Sequence, residues 1–219
     1  MATRQVLADL AEAYERKTGR RAAIRSVGGV EAARAVRAGE PFDVVVLAGA
    51  VMERLEAEGH VAPGSLVSVA RSGIAVAVRG GAPRPDLRDE EAVKRAMLQA
   101  GRVAYSTGPS GDHLKLLWDR WGVTDALAPR ALQAPPGVPV GALLERGEAD
   151  LGIQQLSELL DMPGVAIAGP LPPPIQAVTT FTAGSGVRSA IADEARAFIA
   201  YLASPEAEAA KRKRGLEPA

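Results

Sequence analysis

Short runs of β-branched and apolar residues alternate with helical segments along most of this chain, and this alternation is what most constrains the fold. Amphipathic spacing predicts a first helix over 1–19. Further helices are predicted at 29–38, 49–58, 90–100, 110–121, 138–146, 193–203 and 205–214, and strands at 22–27, 43–47, 66–70, 74–79, 102–105, 150–154, 165–168 and 175–182. The pattern is typical of an α/β fold, and over 22–58 it predicts a parallel α/β unit.

Two breaks in the alternation divide the chain. Residues 80–86 are rich in glycine and proline, and residues 171–174 read Leu-Pro-Pro-Pro, so neither stretch suits a helix interior or a central strand. We therefore expect two α/β lobes, residues 1–77 with 180–219 and residues 78–179, with two chain crossings and a cleft between the lobes.

The composition argues against several classes of function. The chain has 26 basic and 26 acidic side chains and no net charge, so we expect no nucleic-acid partner. No stretch approaches the roughly 20 apolar residues of a membrane span, so direct membrane insertion is not expected. There is no cysteine, and His60 and His113 lie far apart in the sequence, so we expect no metal site and no cofactor.

The C-terminal segment carries local signals for the end of a helical domain. Ser204 is a good N-cap residue, Pro205 suits the first helical position, and Gly215 suits the left-handed residue after a helix end. The basic run at 211–214 falls in the last turn, where the helix dipole favours cations. Because adjacent residues point around a helix, these cations make no single basic face.

This tail resembles that of a known family. Together with FDVVVLA at 42–48 and GEADLGI at 147–153, it resembles the solute-binding proteins of bacterial ABC transporters, and most of all the molybdate-binding branch. The resemblance spans nearly the whole chain. It implies a two-lobed type II periplasmic-binding-protein fold that captures a small solute for ABC-type transport.

Two loops are candidates for the ligand site, because ligands of open parallel sheets bind beyond the carboxyl ends of strands and near helix N-termini. The first is 26–30 and the second is 105–112. In the second loop, Ser106, Thr107 and Ser110 offer hydroxyl groups, while Gly108 and Gly111 allow close backbone approach. We expect all five to contact an anion. The alternative for Ser110 is that it only caps its helix.

Molybdate itself fits the sequence poorly. Molybdate binders carry serine hydroxyls where Gly29 and Val30 stand here, and an apolar residue and a tyrosine around Gln154 and Gln155. A dry oxyanion site needs a donor for every ligand oxygen. An organic anion with an apolar body suits this chain better. Its further expected contacts are Gly29, Val30, Val138, Pro139, Val140, Gln154 and Gln155.

Arg71 and Ser72 are candidates at the entry to a crossing strand. A guanidinium can hold a carboxylate by two parallel hydrogen bonds, so Arg71 is a candidate partner for the anion. Ser72 is the weaker candidate. The alternative is that Arg71 is an ordinary surface arginine.

Ser110, Asp112 and His113 have the residue types of a nucleophilic triad, but triads are assembled in space and not from neighbours on one helical turn. No Gly-x-Ser-x-Gly elbow or Walker loop is present. Asp112 instead complements the helix N-terminus. We therefore expect a binding protein and not an enzyme.

The start of the chain bears on localisation. In the resembling family a short strand and a small-residue loop precede the first helix, so we expect the natural protein to begin upstream of this chain. A signal peptide there would make the protein periplasmic, a monomer that delivers its anion to an ABC permease. Without one, the alternative is a cytoplasmic ligand-sensing domain of the same fold, and an enzyme is the less favoured alternative.

Overall fold

A computed structural model describes residues 2–219. Its helices are α1 (Arg4–Thr18), α2 (Gly29–Arg37), α3 (Gly49–Ala57), α4 (Glu90–Gln99), α5 (Pro109–Arg120), α6 (Thr124–Leu127), α7 (Val140–Glu145), α8 (Leu156–Leu159), α9 (Ala192–Ala203) and α10 (Glu208–Lys213). Its strands are β1 (Val44–Ala48), β2 (Val67–Arg79), β3 (Val103–Tyr105), β4 (Ala131–Gln133), β5 (Leu151–Gln155), β6 (Val165–Pro170), β7 (Val178–Ser185) and β8 (Glu217–Pro218). Short 3-10 turns lie at Ala128–Arg130, Pro173–Ile175 and Pro205–Ala207.

The chain forms two compact units. One contains the residues up to Ser72 together with Thr179–Ala219, and the other is Gly73–Val178. The chain therefore leaves the first unit within β2 and returns within β7. The predicted boundaries, after residues 77 and 179, lie five residues and one residue later, respectively. The separate strands predicted at 66–70 and 74–79 are one strand, because residues 71–73 continue the extended conformation without a turn.

The core of the first unit forms where α1 packs on the C-terminal helices. The predicted apolar face of α1 is confirmed, since Val6, Leu7, Leu10, Ala11 and Tyr14 are all buried. The Tyr14 ring lies 5.1 Å from that of Phe198 on α9, edge to face. Burial of this stripe, and not helix propensity, accounts for most of the stability of such a helix.

The strands of the first unit run differently from the prediction. β1 pairs with β7 in antiparallel register, with Val44 opposite Ser185, and β2 pairs with β8 in antiparallel register. The expected parallel unit over 22–58 is therefore wrong, because β1 finds its partner in the returning strand. The strand predicted at 22–27 is also wrong. That segment has no ladder partner, and none of its residues is buried.

The second unit holds the parallel strands. β3 lies between β4 and β5 and is parallel to both, while β2 runs antiparallel to β5 and β6. Helical spacing predicts one apolar face that contains Leu114, Leu117, Trp118 and Trp121. The first three are buried on α5, and Trp121, just after the helix, is half-buried. The Trp118 ring meets Tyr105 of β3 edge to face at 5.3 Å. The helix α5 is thereby fixed on the sheet at the end of β3.

The C-terminal signals are confirmed in part. Gly215 has a φ of 70°, the left-handed conformation expected after a helix end. Ser204 is not a side-chain cap, because its hydroxyl donates to the carbonyl of Tyr201 at 2.8 Å. The basic run makes no common face: Lys211 is buried, and Arg214 pairs with Asp9 at 2.7 Å.

Two features are absent from residues 2–219. No helix in that range combines the length and the apolar character that a bilayer span requires. Nor does that range bring together three histidine, aspartate or glutamate side chains in a cluster suited to a metal ion.

Candidate functional site

The predicted site residues of the second unit meet at one edge of its sheet. β4, β3 and β5 are parallel neighbours, with Tyr105 opposite both Gln133 and Ile153. Their carboxyl ends therefore coincide at the place where open sheets bind ligands. Three segments leave from this edge: the 106–111 loop after β3, residues 134–140 after β4, and residues 155–158 after β5.

The 106–111 loop is organised around a pair of serine hydroxyls. Ser106 Oγ and Ser110 Oγ lie 2.9 Å apart, and the backbone N–H of Gly108 donates to Ser106 Oγ at 3.2 Å. Both side chains are buried, with exposures of 9% for Ser106 and 1% for Ser110. The loop thus holds polar groups in an almost dry position at the start of α5.

Gly111 is required for this arrangement. A Cβ atom at residue 111 would lie 1.9 Å from the carbonyl oxygen of Ser106 and 3.2 Å from the Tyr105 ring. The first turn of α5 therefore packs directly on the backbone of the loop. At Gly111 this close approach joins the helix to the loop, whereas close approach of a ligand to Gly108 and Gly111 stays a prediction.

Two backbone N–H donors of the 106–111 loop have no hydrogen-bond partner within the described residues. Gly108 is the N-cap residue of α5, so the alternative that Ser110 caps the helix is wrong. Within the described part of the chain, the backbone N–H groups of Thr107 and Ser110 make no hydrogen bond. These N–H groups and the helix dipole favour an anion, although the exposed carboxylate of Asp112 in the first turn weakens that field.

A second group of contacts connects α7, β5 and α8. The backbone N–H of Val140 donates to Gln154 Oε1 at 2.9 Å, and Gln154 Nε2 donates to the carboxylate of Glu158. Both ends of the Gln154 amide are thus engaged, and Gln154 and Gln155 are each only 2% exposed. Val138 and Pro139 immediately precede this contact, at the start of α7. Ligand contact by these residues stays a prediction.

Glu158 is a candidate functional residue that the sequence did not indicate. Burial raises the pKa of its carboxyl, which is half-buried on α8. Carboxyls with raised pKa values cluster at functional sites. No sequence signal distinguishes Glu158 from the other acidic residues, because its burial depends on how α8 packs after β5.

In the first unit, Gly29 and Val30 begin α2, with Gly28 as the N-cap. The Val30 side chain is 72% exposed. Neither residue supplies a hydroxyl, so this helix start offers an anion only backbone N–H groups beside an apolar side chain.

Arg71 and His113 have structural partners. Nε and Nη2 of Arg71 both donate to the carbonyl of Pro218, at 3.1 and 2.9 Å, and so fasten β8 to β2. Ser72 is only 1% exposed. His113 Nε2 lies 2.8 Å from the carbonyl oxygen of Ile175, whereas Ser110 pairs with Ser106. The residue types of a triad are therefore not assembled into one.

Parallel strands in a chain that crosses twice between two α/β units are typical of the periplasmic-binding-protein fold. The chain belongs to the bacterial extracellular solute-binding protein family, whose family model matches residues 1–217. The resemblance and the fold class expected from the sequence are thereby confirmed.

Known relatives cover the chain almost fully. An aconitate isomerase from Pseudomonas sp. is 39% identical over 216 residues, which is 96% of this chain and 82% of the relative. The periplasmic molybdate-binding protein of Azotobacter vinelandii is similar in structure, with a TM-score of 0.80, 22% identity and coverage of 98% of this chain and 95% of that one. The binding protein AgtB of A. tumefaciens R10, solved with agropinic acid, has a TM-score of 0.73 at 14% identity and covers 100% of this chain and 80% of its own.

Proposed function

We propose that this protein binds a small organic anion with carboxylate groups, and that the 106–111 loop holds one of those carboxylates. The observation that carries the proposal is the buried hydroxyl pair of Ser106 and Ser110 at the start of α5. Beside it, the backbone N–H groups of Thr107 and Ser110 supply further donors. Such a set solvates a carboxylate without a metal ion.

The choice of an organic anion over an inorganic oxyanion has two supports. Gly29 and Val30 stand where molybdate binders carry serine hydroxyls, so the sequence lacks donors that a bare tetrahedral oxyanion needs. The relative that is 39% identical is named for aconitate, a small unsaturated tricarboxylate. Tricarboxylates are therefore the first ligands to test.

The test is a thermal-shift screen followed by calorimetry. Wild-type protein is screened against cis-aconitate, trans-aconitate, citrate, simple amino acids, molybdate and tungstate. We expect a tricarboxylate to raise the melting temperature. We expect Thr107→Ala to weaken its binding, because the substitution removes the half-buried Thr107 hydroxyl as a donor and keeps the backbone N–H. A charged hydrogen bond is worth about 1.5–3 kcal/mol, or roughly 10- to 100-fold in affinity. Unchanged affinity in Thr107→Ala and Ser106→Ala together would place the ligand elsewhere.

A second candidate function is isomerisation of the bound ligand, and the 39% identity to an aconitate isomerase is the observation that favours it. Aconitate isomers interconvert when a base removes a proton from the methylene carbon, the double bond shifts by one carbon, and a proton returns to the former vinylic carbon. No oxidant or reductant is needed. Glu158 is our candidate base, because burial raises the pKa of its carboxyl and so makes its carboxylate a stronger base.

This candidate is tested by proton NMR of cis-aconitate incubated with the protein in D₂O. Activity predicts the appearance of trans-aconitate with deuterium at the transferred position, and its loss in Glu158→Gln. Binding without any isomer or exchange would leave the protein a binding protein alone.

For the physiological role, we propose capture of the anion in the periplasm by a monomer that delivers it to an ABC permease. Membership of an extracellular solute-binding family supports this. The alternative is a cytoplasmic sensing domain. Fractionation of cells that express the full gene tests the choice: recovery in the periplasmic fraction supports transport, and recovery in the cytoplasm overturns it. Sedimentation of the purified protein tests the monomer.

A further inference from the structure

The serine pair of the 106–111 loop has one hydrogen more than its contacts use. Each hydroxyl carries one hydrogen, and only one of the two can lie between Ser106 Oγ and Ser110 Oγ, which are 2.9 Å apart. Within residues 2–219, neither hydroxyl has another acceptor. One buried O–H group is therefore left to donate to something outside the described chain.

Burial decides which hydroxyl carries the spare hydrogen. If Ser106 donated to Ser110, the spare hydrogen would sit on Ser110, which is only 1% exposed and would hold a donor without an acceptor. If Ser110 donates to Ser106, both lone pairs of Ser106 Oγ are filled, one by Ser110 and one by the Gly108 N–H at 3.2 Å. The spare hydrogen then sits on Ser106, the more exposed of the two serines, and the deeper Ser110 hydroxyl has an acceptor.

We propose that Ser110 and the Gly108 N–H both donate to Ser106 Oγ, and that Ser106 in turn donates its hydrogen to a carboxylate oxygen of the ligand. This rests on the proposed function of the loop. Donation into Ser106 Oγ polarises its O–H bond and strengthens its outward hydrogen bond. Ser106 is thus the hydroxyl that touches the ligand, and Ser110 is a positioning residue that acts through it.

The arrangement also selects the chemistry of the ligand atom. An outward O–H needs an acceptor, and an ionised carboxylate oxygen accepts without carrying a competing hydrogen. An ammonium group, which only donates, has no place beside Ser106. The inference therefore assigns this position to an ionised carboxylate.

The test is a double-mutant cycle on ligand affinity, with tricarballylate, a saturated tricarboxylate that cannot isomerise, as the calorimetric probe. Ser106→Ala should weaken its binding roughly 10- to 100-fold, and Ser110→Ala about 2- to 10-fold. The double variant should bind like Ser106→Ala, because Ser110 has nothing left to act through. A purely structural Ser110 would instead weaken binding further in the Ser106→Ala background.

A thermal series without ligand gives a second readout. Ser106→Ala leaves the Ser110 hydrogen without an acceptor, so the double variant should melt above Ser106→Ala. Additive losses of affinity, or a larger loss in Ser110→Ala than in Ser106→Ala, would overturn the inference while leaving the proposed function intact. Failure of wild type to bind tricarballylate and both aconitates would overturn the proposed function and the inference with it.

Discussion

Replacing Gly111 by alanine tests the packing that builds the candidate site. A new Cβ would lie 1.9 Å from the Ser106 carbonyl oxygen and 2.9 Å from its carbon, so the loop or the helix must move by about 1.5 Å or more to reach ordinary contact. Two effects oppose each other. Alanine is favoured over glycine in a helix by about 1 kcal/mol, while overpacking against a fixed backbone costs about 1–3 kcal/mol or more.

We expect the steric cost to win, because the obstructing atoms belong to the backbone and cannot rotate away. A net loss of about 2 kcal/mol would lower the melting temperature by roughly 4–8 °C in a chain of this size. Binding of a tricarboxylate should weaken as well, since the displaced carbonyl belongs to Ser106.

The assay is thermal unfolding followed by circular dichroism, with Gly29→Ala as the matched control. Gly29 also lies at the start of a helix, but a Cβ there would meet only one Leu47 methyl carbon at 4.0 Å. The control should therefore melt at or slightly above wild type. If Gly111→Ala is as stable as Gly29→Ala, the close approach of helix and loop is refuted.

Three further predictions concern buried polar groups. Lys211→Met should raise the melting temperature at neutral pH, because burial lowers the pKa of the Lys211 amine. Since the unfolded state then binds more protons, this gain in melting temperature should shrink as pH rises toward the ordinary lysine pKa. A gain that is constant with pH would contradict the prediction. Glu158→Gln should raise the free energy of unfolding at pH values above the raised pKa of Glu158 in the folded state, and should change it little below the ordinary glutamate pKa. Urea unfolding at several pH values tests this. An equal change in the free energy of unfolding at both pH extremes would count against it. Gln176→Ala should lower the unfolding free energy by about 1–3 kcal/mol. The reason is that the Gln176 side chain accepts from the Ile74 N–H at 2.8 Å and donates to the Ile74 carbonyl at 3.0 Å. A loss below about 0.5 kcal/mol would mean that these hydrogen bonds are not needed for stability.

Much of the fold could be predicted because the spacing of apolar residues along the chain indicates which side chains are buried. The apolar stripe of α1 and the shared face of α5 were readable residue by residue, and both are buried. The pairing of the strands could not be predicted from the sequence. The segment 22–27 has the composition of a strand but no neighbour to pair with, and β1 pairs with a strand about 130 residues later in the chain, which local pattern does not encode.

The site was predictable at the level of loops and not of contacts. Gly108 and Gly111 marked the 106–111 loop as a close approach, and the register of β3 with β4 and β5 brings the other predicted segments to the same edge. The pairing of Ser106 with Ser110 depends on a hydroxyl separation that no spacing rule specifies. The hydrogen bond from the Val140 N–H to Gln154 Oε1 likewise depends on how α7 packs on β5.

The central claim is that the 106–111 loop serves an organic carboxylate and not an inorganic oxyanion. Calorimetric titration of the wild-type protein with trans-aconitate and, separately, with molybdate at the same pH and ionic strength tests it most directly. We predict saturable binding of trans-aconitate and little or no binding of molybdate, since Gly29 and Val30 replace the serine hydroxyls that molybdate binders carry at these positions. Submicromolar affinity for molybdate with no heat from trans-aconitate would contradict the account.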